Sequence, residues 1–183
     1  MKILLFIFSS CSWLNSAAQQ DTSYNNLLRS TEEIQLTDSL YINTTEWQLR
    51  RLDSAEVIRW FSPALGLTKN NRIKNRSYFL AGRITTDNKF NLLVLLEEKK
   101  RADSTSIQVV NLISFNKEGK YIASLEVAVS GHRKQSIYNT SSWLFKDFKI
   151  MRDSKITVNE KSINDLAIYK INGTGRFILY PNY

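Results

Sequence analysis

Leu92-Leu93-Val94-Leu95-Leu96 is a run of five apolar residues with no polar alternation, and its reading decides the fold. A strand sends successive side chains to opposite faces, so a half-exposed strand alternates apolar with polar residues. A run that is apolar at every position is a strand buried on both sides, central in its sheet, with a layer packed on each face. From Tyr78 onward the chain around it consists of short apolar runs divided by turn residues, the spacing of an antiparallel β-meander.

Eight strands are read in that region: Tyr78 to Thr86, Lys89 to Glu97, Ser106 to Phe115, Lys120 to Val129, Ser142 to Ile150, Lys155 to Asn159, Leu166 to Asn172 and Gly175 to Tyr180. Asp87-Asn88, Asn116-Lys117-Glu118-Gly119 and Asn172-Gly173-Thr174-Gly175 supply tight reversals, because Gly, Asn and Asp tolerate the positive φ of hairpin turns. Alternation is cleanest in the fourth strand. There Tyr121, Ala123, Leu125, Val127 and Val129 point one way, while Ser124 and Glu126 point the other, toward an expected wet face. Before the sheet, Glu33 to Ile42 reads as a short extended piece and Ser54 to Phe61 as a helix. Asp53 caps that helix, Glu56 is the return half of a capping box, and Pro63 is the expected stop. Val57, Trp60 and Phe61 share a face, which makes the helix the candidate cover for one side of the apolar strand. The expected fold class is mostly β, α+β at the margin: an antiparallel meander, barrel-like if it curls far enough, with one short N-terminal helix packed on it.

The first residues read as a secretory leader. Lys2 gives a positive start, Ile3 to Leu14 an apolar stretch, and Ser16-Ala17-Ala18 the small side chains of a cleavage site, so residues 1–18 are expected to be a signal peptide. Phe8-Ser9-Ser10-Cys11 loosely matches a lipobox, which makes a lipid anchor at Cys11 the alternative to soluble export into the periplasm or medium. Residues 19–32 are polar and aperiodic, an expected flexible lead-in, and residues 33–183 are expected to form a single β-rich domain. Cys11 is the only cysteine. An exported chain that begins after it has no disulfide, no thiolate nucleophile and no cysteine metal ligand.

Catalytic signatures are sparse. The single histidine, His132, reads as a loop residue after the fourth strand, no Gly-x-Ser-x-Gly elbow is present, and one histidine cannot build a zinc or iron site. Glu32-Glu33 and Glu97-Glu98 are adjacent carboxylates whose side chains point to opposite faces of a strand, so both pairs read as surface charge. Gly173-Thr174-Gly175 precedes no helix and reads as a hairpin turn. No cofactor, metal or catalytic residue is expected. A hydrolase working through carboxylates is the least favoured of the readings considered.

Charge is the informative feature. The formal net charge is +8, yet Gln19 to Thr68 carries four Arg against seven acids, while Lys69 to Tyr183 carries twenty Lys and Arg against ten acids. The basic residues cluster as Lys69, Arg72, Lys74 and Arg76, then Lys99, Lys100 and Arg101, then Arg133 and Lys134. In an up-and-down meander alternate connections emerge at the same end of the sheet, so these clusters are expected to share one loop end. Such an end favours an anionic glycan, a lipid head group or another polyanion such as nucleic acid. The alternative partner is another envelope protein, which requires a contiguous exposed apolar patch.

Tyr78-Phe79-Leu80-Ala81-Gly82-Arg83-Ile84, the run Phe90 to Leu96, and Leu112 to Leu125 with its Asn116-Lys117-Glu118-Gly119 turn together resemble the small exported β-rich proteins of unknown function from Bacteroidetes. The leader ending Ala18-Gln19-Gln20 is similar to export signals of that phylum. The resemblance covers Tyr78 to Tyr180 and implies an exported β protein of the cell envelope; it carries no site residue over.

Overall fold

The structure is a computed structural model and describes residues 24–67, 75–86, 89–100, 105–133 and 135–180. The chain divides into two compact units, residues 1–30 and 31–183. In the first, residues 24–29 of the expected lead-in form a helix, α1. It closes where the Ser30 N–H donates to the Asn26 carbonyl at 3.0 Å and the Ser30 hydroxyl to the Leu27 carbonyl at 3.0 Å. The expected leader and Cys11 lie outside the described residues.

The second unit holds β1 (Ser39–Ile42), β2 (Arg50–Arg51), a helical segment, and then β3 (Arg76–Thr85), β4 (Phe90–Lys100), β5 (Ser106–Asn116), β6 (Tyr121–Arg133), β7 (Ser136–Phe145), β8 (Lys149–Val158), β9 (Lys161–Ile171) and β10 (Phe177–Tyr180). From β2 to β10 each strand pairs antiparallel with its neighbour in the chain, and β1 pairs with β7. The sheet is open, with β2 and β10 at the ends of this path, and does not close into a barrel.

The helical segment is α2 (Ser54–Glu56), a π-helical turn (Val57–Phe61) and α3 (Ser62–Leu65). Its start follows the capping box: the Asp53 carboxylate accepts from the Glu56 N–H at 2.8 Å, and the Glu56 carboxylate accepts from the Asp53 N–H at 3.2 Å. Pro63 does not stop it, contrary to expectation. Pro63 sits in the first turn of α3, where no N–H is required, and the π turn before it respaces the carbonyls that proline cannot serve. The stop is Gly66, in the left-handed region at φ 60°.

β4 is buried on both faces, as its apolar run requires. Phe90, Leu92, Val94 and Leu96 join one core cluster with Val110 and Leu112 of β5, Ala128 of β6, Leu144 of β7, Ile150 of β8 and Ile171 of β9. Leu93 and Leu95, fully buried, point the other way. On that second face Leu93 stands opposite Ile113, and Ile113 opposite Ser124. The helical segment covers this row: Phe61 meets Phe115 edge to face at 6.0 Å, and the Ala64 carbonyl lies 3.5 Å from the Ser124 hydroxyl.

The strand boundaries differ from expectation in four places, of which two are simple extensions: residues 151–154, left between strands, lie within β8, and residues 161–165 within β9. Residues 130–141, read as a loop containing His132, are the end of β6 and the start of β7, and His132 pairs with Ile137. The expected strand Ser142 to Ile150 is the end of β7, a turn, and the start of β8. That turn contains neither Gly nor Pro. Asp147 holds it by accepting from the Lys149 N–H at 3.1 Å, and Phe148 adopts φ 63° while its ring packs on Phe90 at 5.8 Å, so burial of the ring offsets the backbone cost.

Alternation in β6 holds from Ala123 to Glu126 and fails at either end. Register shifts interrupt its pairing with β5 between Ala128 and Glu126 and between Ala123 and Tyr121. Each inserted residue flips the strand that follows. Val129 and Tyr121 therefore share a face with Glu126 rather than with Leu125; that face is covered by the helical segment at one end and wet at Glu126, which is exposed. β6 pairs with β7 only over Val129–Arg133, and β1 takes its place beside β7 from Ser142 to Phe145. The sheet thus forks, and its two halves fold over the common core. At the fork the Ser142 hydroxyl donates to the Val127 carbonyl of the bulge.

If the helical segment is what buries the second face of β4, Phe61→Ala lowers unfolding free energy by about 3–5 kcal/mol, whereas Ile58→Ala changes it by no more than about 0.5 kcal/mol. Ile58 is 58% exposed on the same segment. Urea unfolding monitored by circular dichroism checks this; similar effects of the two substitutions contradict it.

Candidate functional site

Register places alternate connections together, although the β6–β7 and β8–β9 connections, expected as longer loops, span only two residues each. Arg76 pairs with Lys99, Lys99 with Ile107, Ile107 with Gly131, Gly131 with Tyr138, Tyr138 with Ile156 and Ile156 with Ile163. The approach to β3 and the β4–β5, β6–β7 and β8–β9 connections leave the sheet at one end. Of the basic residues expected there, Arg76, Lys99 and Lys100 are described, and Arg133 is placed by its backbone opposite Ser136. Lys69, Arg72, Lys74, Arg101 and Lys134 lie outside the described residues.

Beneath this end, on the face of β4 that carries Leu93 and Leu95, an open cavity of about 380 Å³ is lined by side chains from five strands. Arg76, Glu97 and Lys99 stand on one side, Ile107, Val109 and Val129 form an apolar floor, and Glu126 and Tyr138 stand opposite. Gly131 lets the backbones close behind it: at φ 119° and with the Ser106 carbonyl against the place of a Cβ, no larger residue fits.

The basic residues are not equivalent. Arg76 holds Glu97 at 2.8 Å, and the Glu97 side chain is only 14% exposed. Burial works against the Arg76 charge, but Tyr78 and Glu97 more than offset it, so the guanidinium is held above its ordinary value. The Tyr78 phenol is pushed up, first by burial and then by Glu97, against the nearby Arg76 charge; its hydroxyl has no partner at hydrogen-bond geometry among the described residues. This Arg76–Tyr78 wall separates the cavity from a second one of about 410 Å³ bounded by Asp53 and Val57. Lys99, by contrast, makes no ion pair among the described residues and faces the cavity. Lys100 is exposed and, by alternation, points to the other side of β4.

Glu97 and Glu98 do point to opposite faces, but the reading of both as surface charge fails for Glu97. Its acidic neighbour in the cavity is Glu126, from β6. That carboxyl keeps contact with solvent at the cavity mouth, yet burial on its inner side raises it above the usual range, against the pull of Arg152 and with the help of Glu97. Arg152 lies behind it, its guanidinium 3.4 Å from the Glu126 carbonyl and 5.4 Å from the centre of the Tyr169 ring. Sequence reasoning missed Glu126 and Arg152 because each lies within a strand. The only available signal was an acid inside an otherwise apolar run.

The arrangement offers an ammonium with no ion-pair partner among the described residues, a phenol, a carboxyl at the mouth and an apolar floor. Among the described residues no group of three or more His, Cys, Asp or Glu is placed to hold a metal ion, and no helix is long and apolar enough to cross a membrane. No family model, curated protein or solved structure matches the chain.

Glu126 makes stability depend on pH in a stated direction. With its value raised in the folded state, the folded protein binds the proton more tightly than the unfolded chain. This contribution is present below the ordinary carboxyl value of about 4.3 and is lost as pH rises through the folded value. Glu126→Gln removes that loss. Its melting temperature should match the parent below the ordinary carboxyl value and exceed it as pH rises through the folded value, levelling off above it; a difference constant across that range contradicts the assignment.

Proposed function

We propose that this chain is a non-enzymatic binding module exported to the cell envelope, and that it takes an anionic ligand at the loop end of its meander. The observation that carries the reading is the register, which brings Arg76, Lys99, Lys100 and the β6–β7 connection to one end above an open cavity. Arg76 is committed to Glu97, so Lys99 is the described cation available inside the cavity, and Lys100 adds to the field at its rim. The apolar floor and Tyr138 favour a ligand whose anionic group sits on a larger body, as in an acidic glycan or a lipid head group, over a bare inorganic ion. The cavity offers the concave surface on which binding sites are commonly built.

The export part of the proposal rests on the leader reading of residues 1–18 and on the resemblance to envelope proteins of Bacteroidetes. A second reading, an envelope assembly protein whose partner is another protein, draws support from a different surface, the outer face of β7–β10.

Neutralising Lys99, Lys100 and Arg101 together to Gln should lower the salt concentration at which the protein leaves a heparin column, because the attraction is carried by screened charges. Replacing Lys89, Lys120 and Arg176, exposed at the opposite end of the sheet, should have the smaller effect. Unchanged elution of the triple variant, or equal effects of the two sets, rejects the loop end as the site.

A further inference from the structure

The outer face of the second half of the sheet carries an apolar row that nothing in the second unit's core uses. Tyr41 of β1 pairs with Trp143 of β7, Trp143 with Met151 of β8, Met151 with Ile168 of β9 and Ile168 with Tyr180 of β10. All five point away from the core side, which is marked by Leu144, Ile150 and Ile171. Tyr41 and Trp143 are each 41% exposed with rings 4.9 Å apart, and Tyr180 is 51% exposed. Of the ten large apolar side chains exposed among the described residues, six (Tyr41, Ile137, Trp143, Leu166, Ile178 and Tyr180) lie on this face. Scattered exposed apolar residues need no explanation; an aligned row across five strands does.

We propose that this face is covered by a second copy of the chain, in a two-fold dimer whose axis runs along the row. Three observations select that occupant. The first is charge. On β8, Lys149 lies two residues before Met151 and Asp153 two residues after it, on the same outer face, and neither makes an ion pair among the described residues. A two-fold along the row reverses strand direction, so each Lys149 falls over Asp153 of the second copy and each Asp153 over its Lys149. Any axis that preserved strand direction would set like charge over like.

The second is shape. A twisted sheet packs best on a sheet of matching twist, about 10 Å away with strands within about 30°, and a second copy supplies that twist. The third is size. Three strands of about 33 Å and two of about 13 Å, spaced about 4.8 Å apart, give a face on the order of 600 Å², at the lower end of what each partner buries in a stable interface, about 600–1,000 Å². The contact is isologous and closes, so it yields a dimer and no filament.

Sedimentation equilibrium of the purified chain tests this, together with Trp143→Ser, Lys149→Glu, Asp153→Lys and the double variant Lys149→Glu/Asp153→Lys. The parent should be dimeric at concentrations up to about 100 µM, and each single variant should weaken the dimer by about tenfold or more. The double variant should regain the dimer, because the opposed charges are exchanged and not removed. The charge variants sit on exposed positions, so the result does not depend on how well Trp143→Ser folds. A parent that stays monomeric at the highest concentration overturns the proposal, as does a dimer indifferent to Trp143→Ser or a double variant weaker than either single. A monomer that binds phosphatidylglycerol vesicles through Trp143 overturns it in favour of a lipid surface.

Discussion

The double-sided burial of β4 is the constraint on which the rest of the molecule depends. With Leu92, Val94 and Leu96 on one face and Leu93 and Leu95 on the other, all essentially inaccessible to water, the strand needs two separate covers. The sheet itself supplies one by forking and folding over. The segment from Ser54 to Leu65 supplies the other, but it is only about 18 Å long at about 1.5 Å per helical residue, against about 36 Å for β4 at about 3.3 Å per strand residue. The cover therefore ends partway along the strand. The sequence of β4 changes at that point from Leu96 to Glu97-Glu98-Lys99-Lys100, and the uncovered remainder of the same face is the cavity. Core and candidate site are two ends of one surface.

The fork between β6 and β7 completes the arrangement. By inserting Val127, the bulge turns Glu126 and Val129 toward the face that already holds Glu97 and Val109, which strict alternation would not allow. Leaving β7 early would strand the Val127 carbonyl, and Ser142 takes it as an acceptor while β1 takes over the open side of β7. One local irregularity thus shapes the cavity, admits β1 to the sheet and lets Leu144 and Ile150 reach the core beside Val94.

The parts of this architecture legible in the sequence are those written in local chemistry. The apolar run of β4, the Asn116 to Gly119 and Asn172 to Gly175 turns, and the Asp53–Glu56 capping box each have a short-range cause, and each is found where the residues put it. The illegible parts are set by contacts distant in the chain. The turn at Phe148 is fixed by a ring packed on Phe90, and the bulge at Val127 by a serine fifteen residues on. Glu126 is exposed, as its place on an amphipathic strand implies, but the register shift that sets Glu126 and Val129 on one face with Glu97 has no signature in β6 itself. The shared end of Arg76, Lys99 and Lys100 was legible, because strand neighbours follow chain order. The pairing of Arg76 with Glu97, which removes one of those cations from availability, was not.

Native-state hydrogen exchange tests the central constraint most directly, because amides in the most deeply covered element open only when the whole domain does. The amides of Leu92 to Leu96 should be the slowest in the protein, with an opening free energy equal to that of global unfolding and a parallel dependence on denaturant. Slower exchange in β8 and β9, with β4 opening first in a partial unfolding step, would contradict the account.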